Sequence, residues 1–243
     1  MLKIAVLSVA YKEEEYIEKC IKQWQGLVDK HLVLVSTHPW NGVNLGFDKT
    51  AKIARENGAE VIERYWETEA MQRDWGLAIL RDYDYVIIND PDEFYTLEDR
   101  KLIINSLGMG EYTDAYRIEK MLTYWKTHEY IFDPVDKHKP VIAVNPKTVR
   151  FYEHRQTQPC DNSYPFQQFM PTIKVTCHHF SWVHSDEKVK EKIQSYSHTE
   201  DIPIGWYEDV WEKWTPDSNL IIRPYGEKSV AKYSPSPQEI SCI

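Results

Sequence analysis

No stretch of this 243-residue chain approaches the roughly 20 consecutive apolar residues that cross a bilayer, so no transmembrane segment is expected. The N-terminus lacks the basic region, apolar core and small-residue cleavage site of a secretory signal. Cysteine is scarce. Cys20, Cys160, Cys177 and Cys242 contain no CxxC pair and are too few for a disulfide scaffold, so a cytoplasmic protein with reduced thiols is expected. Positive charge is also in deficit: 29 Lys and Arg against 38 Asp and Glu leave a net charge of −9, which argues against binding nucleic acid through overall charge. GxSxG, a Walker A lysine loop, GxGxxG and HExxH are all missing, which removes several common enzyme classes.

Aromatic residues, by contrast, make up 13% of the chain, which excludes a disordered segment. Leu2 to Ala10 is a nearly continuous apolar run, as expected of a strand buried on both faces. From Glu13 to Val28 the apolar residues fall at helical spacing. His31 to Ser36 predicts a second strand, Phe47 to Asn57 a helix stopped by Gly58, and Glu60 to Arg64 a short strand. Thr68 to Leu80 predicts another helix and Tyr85 to Asn89 another buried strand. Strands alternating with helices imply a mainly parallel α/β sheet with helices on both faces, and a ligand crevice beyond the carboxyl ends of the strands.

The second half predicts strands over Ala115–Trp125, Val141–Val144, Val149–Tyr152 and Ile173–Trp182, joined by long loops. A helix over Ser185–Ser197, capped by Ser185, follows, and then an aromatic helix near Trp206–Trp214 and a poorly ordered SPSPQEISCI tail. The chain reads as one domain with two unequal halves, 1–97, whose architecture alone suits a nucleotide, and 98–200, followed by a C-terminal helix and tail over 201–243.

The most informative segment is YVIINDPDEF, where Asp90, Asp92 and Glu93 follow a buried strand. Hard divalent cations such as Mn²⁺ or Mg²⁺ prefer carboxylate oxygens and are often shared with substrate phosphates. Pro91 fixes its own φ and restricts Asp90, which sets the geometry of the two aspartates. The competing reading is a solvated acidic turn capping the next helix. In CHHFSW, His178 and His179 lie on a strand and point to opposite faces, so one of them can complete a metal shell; His179 is the candidate, with His178 and His198 as alternates. Arg73 can pair with a phosphate or a crevice carboxylate, or with Glu69 four residues earlier on the helix surface. Most tryptophans suit a core; Trp40, Trp125 and Trp182, at loops or strand ends, suit stacking on a base or a sugar face.

With IAVLSVAYKEEEYIEKCIKQW, HLVLVS, MQRDWGL and YVIINDPDEF in view, the chain resembles the GT-A glycosyltransferases, most closely their family 2 group. The resemblance covers residues 1–97 and, through HHFSWVHSDEKVKEKI with His198, part of 170–200. It implies a GT-A-like α/β fold: a Rossmann-like nucleotide-binding half and a smaller mixed acceptor-binding half. It also implies that Ala10, Tyr11 and Glu13 line a nucleotide pocket, that Asp90 contacts the ribose or the metal, and that Asp92 binds the metal on the diphosphate. Ser36, Thr37 and His38 stand where the family usually has a base-binding aspartate, and Lys12 where it often has asparagine. Family order places an acceptor base at Asp161 or Glu153, with the Glu208–Asp209 pair as the alternative. The implied activity is metal-dependent transfer of a sugar from a UDP- or GDP-linked donor to a glycan or other hydroxyl acceptor. A nucleic-acid acceptor stays open through the basic stretch Lys137 to Lys147. The alternatives are a nucleotidyltransferase acting on a sugar phosphate and a non-catalytic carbohydrate-binding protein.

Overall fold

The structure is a computed structural model that describes residues 2–109, 113–161, 170–195, 199–218, 221–224 and 226–241. Ile4–Ala10 (β1) is buried at every position, and the sheet grows outward from it. Lys30–Ser36 (β2) pairs with β1 in parallel from Ala5↔Lys30 to Ala10↔Val35. Glu60–Arg64 (β3) pairs in parallel with β2 at the edge, and Tyr85–Ile88 (β4) with β1 on its other side.

The crossover helices cover both faces, as the alternation predicts. Ile17–Trp24 (α1) and Thr50–Glu56 (α2) bury Ile17, Ile21, Ala51 and Ala54 against Val33 and Val35 of β2. Glu69–Ile79 (α3), capped by Thr68, buries Ala70 and Leu77 against Leu7, Val9 and Leu34 on the opposite face. It packs closely because Gly76 has no side chain: a Cβ there would lie 2.6 Å from Leu7 Cδ1. Helix α1 is shorter than its apolar spacing predicts. The chain turns at Lys12, with φ +55°, and Gly26, with φ +76°, follows its C-terminal end.

Beyond β4 the sheet becomes mixed. Val141–Val144 (β8) is antiparallel to β4, and Ala115–Trp125 (β6) is antiparallel to β8. Thr172–Trp182 (β11) runs parallel to β6 and also pairs, antiparallel, with Glu93–Phe94 (β5). Leu97–Met109 (α4) and Tyr130–Asp133 (β7) are additional elements. Val149–Glu153 (β9) and Gln156–Pro159 (β10) form a separate hairpin whose turn is His154-Arg155. Asp186–Ser195 (α5) starts after Ser185, whose Oγ accepts from Lys188 N at 3.2 Å, as the capping reading predicts.

Two expectations for the C-terminal part are corrected. The aromatic helix near Trp206 is a single π turn, Tyr207–Trp211, which packs with Trp125, Trp182 and Trp206 in a buried cluster. The tail is ordered through 241: Ile221–Ile222 (β12) and Lys228–Tyr233 (β13) extend the sheet, and Gln238–Ser241 (α6) buries Ile240 against Tyr16 and Phe94. An apolar anchor inside a polar tail is what the composition conceals. Cys20, Cys160 and Cys177 are free thiols, Cys242 lies outside the described residues, and no described helix is long and apolar enough to cross a membrane.

One buried polar group under the sheet makes stability pH-dependent. His31 Nε2 lies 2.9 Å from Ser8 Oγ, and burial pulls the imidazole down to about 3. The folded chain therefore keeps His31 neutral where the unfolded chain, near the ordinary 6.5, protonates it. Its contribution is complete above pH 6.5 and is lost as pH falls toward 3, at about 1.4 kcal/mol per pH unit. Urea denaturation at pH 7.5, 6 and 5 should show a smaller acid loss in His31→Gln than in the parent chain. Parallel losses in the two chains would refute this assignment.

Candidate active site

The site is built on the turn after β4. The Asn89 side chain is buried beneath it, donating to Asp90 O at 2.7 Å and to Glu93 O at 3.1 Å while accepting from Trp24 Nε1 at 2.9 Å. Asn89 thereby holds Asp90, Pro91, Asp92 and Glu93 at the carboxyl end of the parallel strands, where the crevice was expected.

Asp90 faces two guanidinium groups. Arg73 Nη2 donates to both of its carboxylate oxygens at 2.9 Å, and Arg155 Nη1 approaches Oδ2 at 3.4 Å. Both pairings considered for Arg73 occur together, because Glu69 also accepts from its Nε and Nη2 at 3.0 and 2.5 Å. Arg155 pairs with Glu93 and donates to the Ile88 and Val141 carbonyls at 2.7 and 3.0 Å. Burial lifts the Glu93 carboxyl above its ordinary value, and the Arg155 charge opposes that shift. Three carboxylates and two guanidiniums thus form one buried network that fixes Asp90.

Asp92 belongs to a different set. The β5–β11 pairing puts His179 opposite Glu93, and His179 Nε2 lies 3.5 Å from Asp92 Oδ2 while Nδ1 meets Thr123 Oγ1 at 3.3 Å. Lys192 Nζ stands 3.6 Å from the same Asp92 oxygen, held by Ser181 O and Oγ at 2.7 and 2.9 Å. Burial works to raise the Asp92 carboxyl, but His179 and Lys192 hold it well below the carboxylate range. His178 points to the other face of β11, where its Nδ1 meets the Tyr124 hydroxyl at 2.9 Å and burial pulls it down to about 4. Of the three candidate histidines the structure turns His179 toward the carboxylates; His198 lies outside the described residues.

Facing these groups is a wall of lysines. Lys188 and Lys192 project from α5 at i and i+4; Lys188 Nζ donates to the Lys12 carbonyl, and Lys12 Nζ pairs with Glu191 at 3.1 Å. Burial pushes Glu13 up to about 7, with the neighbouring Lys192 opposing and Asp92 adding to the shift. The space between is a cleft of about 310 Å³. A second hollow of about 240 Å³ opens beside it, and Trp40, Glu69 and His154 belong to both.

A divalent cation, were one bound, would have few protein ligands here. No three His, Cys, Asp or Glu among the described residues converge on one point, and Asp90 is occupied by arginines. Asp92 and His179 offer one oxygen and one nitrogen, the small protein share that leaves positions for phosphate oxygens and water around Mg²⁺ or Mn²⁺.

Of the residues singled out in the sequence, Tyr11, Glu13, Arg73, Asp90, Asp92 and His179 line the cleft. Ala10 is buried one residue below it, and Ser36 Oγ turns back to donate to the His38 carbonyl at 2.5 Å, so neither reaches the cavity. Neither Asp161 nor Asp209 comes to the cleft. Asp161 is exposed after β10, and Asp209 is exposed on the π turn and paired with Lys213 at 2.7 Å. Trp125 and Trp182 are core residues, which leaves Trp40 as the aromatic of that trio at the site. Lys188, Lys192, His154 and Arg155 were not anticipated. The i, i+4 lysines after HHFSW carried a usable signal, whereas a residue at a hairpin turn carries none.

No protein-family model matches the chain, and no curated protein sequence does. Among solved structures, S. aureus TarS aligns over 52% of this chain and 22% of its own, at 17% identity and a TM-score of 0.33. Mannosyl-3-phosphoglycerate synthase from Rubrobacter xylanophilus aligns over 98% of this chain and 89% of its own, at 12% identity and a TM-score of 0.46. The chain therefore spans less than a quarter of the TarS length.

Proposed function

We propose that this chain is a glycosyltransferase that moves a sugar from a nucleoside-diphosphate donor to a hydroxyl acceptor. The observation that carries this reading is the Asp92–His179 pair, which faces a wall of three lysines at the carboxyl edge of the parallel strands. Lys12, Lys188 and Lys192 supply the positive charge that a diphosphate needs, and the Ser181 contacts hold Lys192 in place. Arg73 and Arg155 fix Asp90 as an immobile hydrogen-bond acceptor for a ribose hydroxyl, with Tyr11 beside the base. A manganese or magnesium ion on Asp92 and His179 would neutralise charge on the departing nucleoside diphosphate. The free thiols suit a reducing compartment, the cytoplasm in this proposal.

Calorimetry with UDP and GDP, with and without Mn²⁺, tests the reading. One nucleotide should bind, and Mn²⁺ should tighten it at least tenfold. Pyrophosphate release from a nucleoside triphosphate and a sugar phosphate would assign a nucleotidyltransferase instead. Glycan binding indifferent to both nucleotide and EDTA would assign a binding protein.

A further inference from the structure

We propose that the open edge of β3 is a self-association surface. Its partner is the same strand of a second copy of this chain, run antiparallel about a two-fold axis at Ile62. The sheet ends at β3: among the described residues β2 pairs with one side of it and nothing pairs with the other. Thr37 N donates to the Arg64 carbonyl at 3.0 Å, which turns the backbone polar groups of Arg64, and by alternation those of Ile62 and Glu60, toward β2. The amide and carbonyl groups of Val61 and Glu63 therefore point out of the sheet, where water or another strand must satisfy them.

Charged residues at a sheet edge ordinarily keep foreign strands away. The order Glu-Val-Ile-Glu-Arg does so selectively, because it is complementary to its own inverted copy. With Ile62 opposite Ile62, Val61 faces Glu63 of the second copy. These are the residues whose N–H and C=O groups point outward, so each such pair exchanges two hydrogen bonds. The same register sets Glu60 opposite Arg64 at both ends of the strand. Centring the pairing on Val61 instead puts Arg64 opposite Gly58, and centring it on Glu63 opposes two carboxylates. One register thus matches backbone and charge together.

The side chains are already disposed for this pairing. Ile62 packs inward on the α3 face, where Arg64 lies 5.2 Å over the Trp75 ring, and Val61 packs on the α1–α2 face. Arg55 donates to Glu63 at 2.6 Å, so that carboxylate does not meet Val61 of the second copy as an unpaired charge. Lys30 pairs with Glu60 at 2.5 Å from the β2 side and leaves the outer edge clear. No residue of β3 lines the cleft. Antiparallel pairing directs the two clefts toward opposite ends of one continuous sheet, so association leaves both open and is independent of the transferase reading.

Sedimentation of the full chain at rising concentration should show monomers in equilibrium with dimers. Arg64→Glu and Glu60→Arg should each weaken self-association roughly tenfold or more, because two attractive cross-strand pairs become repulsive. Mixing these two variants should restore dimers, since one copy then presents arginine at both positions and the other glutamate. Val61→Pro removes an outward N–H and no bond to β2, and should abolish dimers with the monomer still folded. A parent chain that stays monomeric at every concentration overturns the proposal. So do charge variants that associate as the parent does, a mixture of folded variants that stays monomeric, or dimers that persist in Val61→Pro.

Discussion

Asp92→Ala is expected to lower sugar transfer by about 10³-fold, the several kcal/mol that a cation at a departing diphosphate supplies. It should also erase the gain in nucleotide affinity that Mn²⁺ produces. Metal-free nucleotide affinity, however, should not fall. Asp92 contributes a negative charge 3.6 Å from Lys192 Nζ, and removing it leaves the lysine wall more positive toward phosphates. Binding and transfer thus separate in this variant, which a general loss of structure would not produce. Calorimetry with and without Mn²⁺, run beside a transfer assay, reads both. Undiminished transfer would sink the role given to Asp92.

The largest stability effect is expected at Arg155. Its guanidinium is nine-tenths buried and pairs with Glu93, which is 2% exposed, as well as with two carbonyl groups. Arg155→Met would leave Glu93 without its cation and Asp90 with Arg73 alone, a loss of about 3–5 kcal/mol. For a chain of this size that corresponds to a fall in melting temperature of roughly 6–20 °C. Glu93→Met in the same chain should recover part of the loss, because a buried pair replaced by apolar side chains costs much less than a pair with one partner removed. Calorimetric unfolding of the two single variants and the double variant checks this. Losses that simply add would mean that Arg155 and Glu93 are not coupled.

Much of the first half, residues 1–97, was legible because its strands are buried on both faces and its helices carry one apolar stripe, patterns that local sequence records directly. The DPDE turn was legible for the same reason: it terminates such a strand. His179 was legible as half of an alternating pair, and the structure shows that its face of β11 is the one turned to Asp92, while that of His178 is turned to Tyr124. The second half was harder. Chain order favoured Asp161 or Glu153, and of the two Glu153 lines the hollow beside the cleft, whereas Asp161 and the alternative Asp209 lie exposed away from it; order along the chain does not say which loops fold back over a sheet edge. Trp125 and Trp182 sit at strand ends and yet are buried, because the π turn and β7 cover them with aromatic residues from distant parts of the chain. The placement of the tail was missed because its anchors are Ile240, an apolar residue set among polar neighbours, and backbone hydrogen bonds from Ser234 and Ser236 to the Glu129 and His128 carbonyls, which side-chain patterning does not record.

The β9–β10 turn gives two adjacent residues opposite burdens. Arg155 turns inward and holds the charge balance beneath the DPDE turn, whereas His154 lines both the cleft and the hollow beside it. A single peptide bond separates a position held by the buried charge network from one set at the edge of open space. A change at 154 can therefore reshape the cleft and its neighbouring hollow while the pairing at 155 that supports the turn is kept.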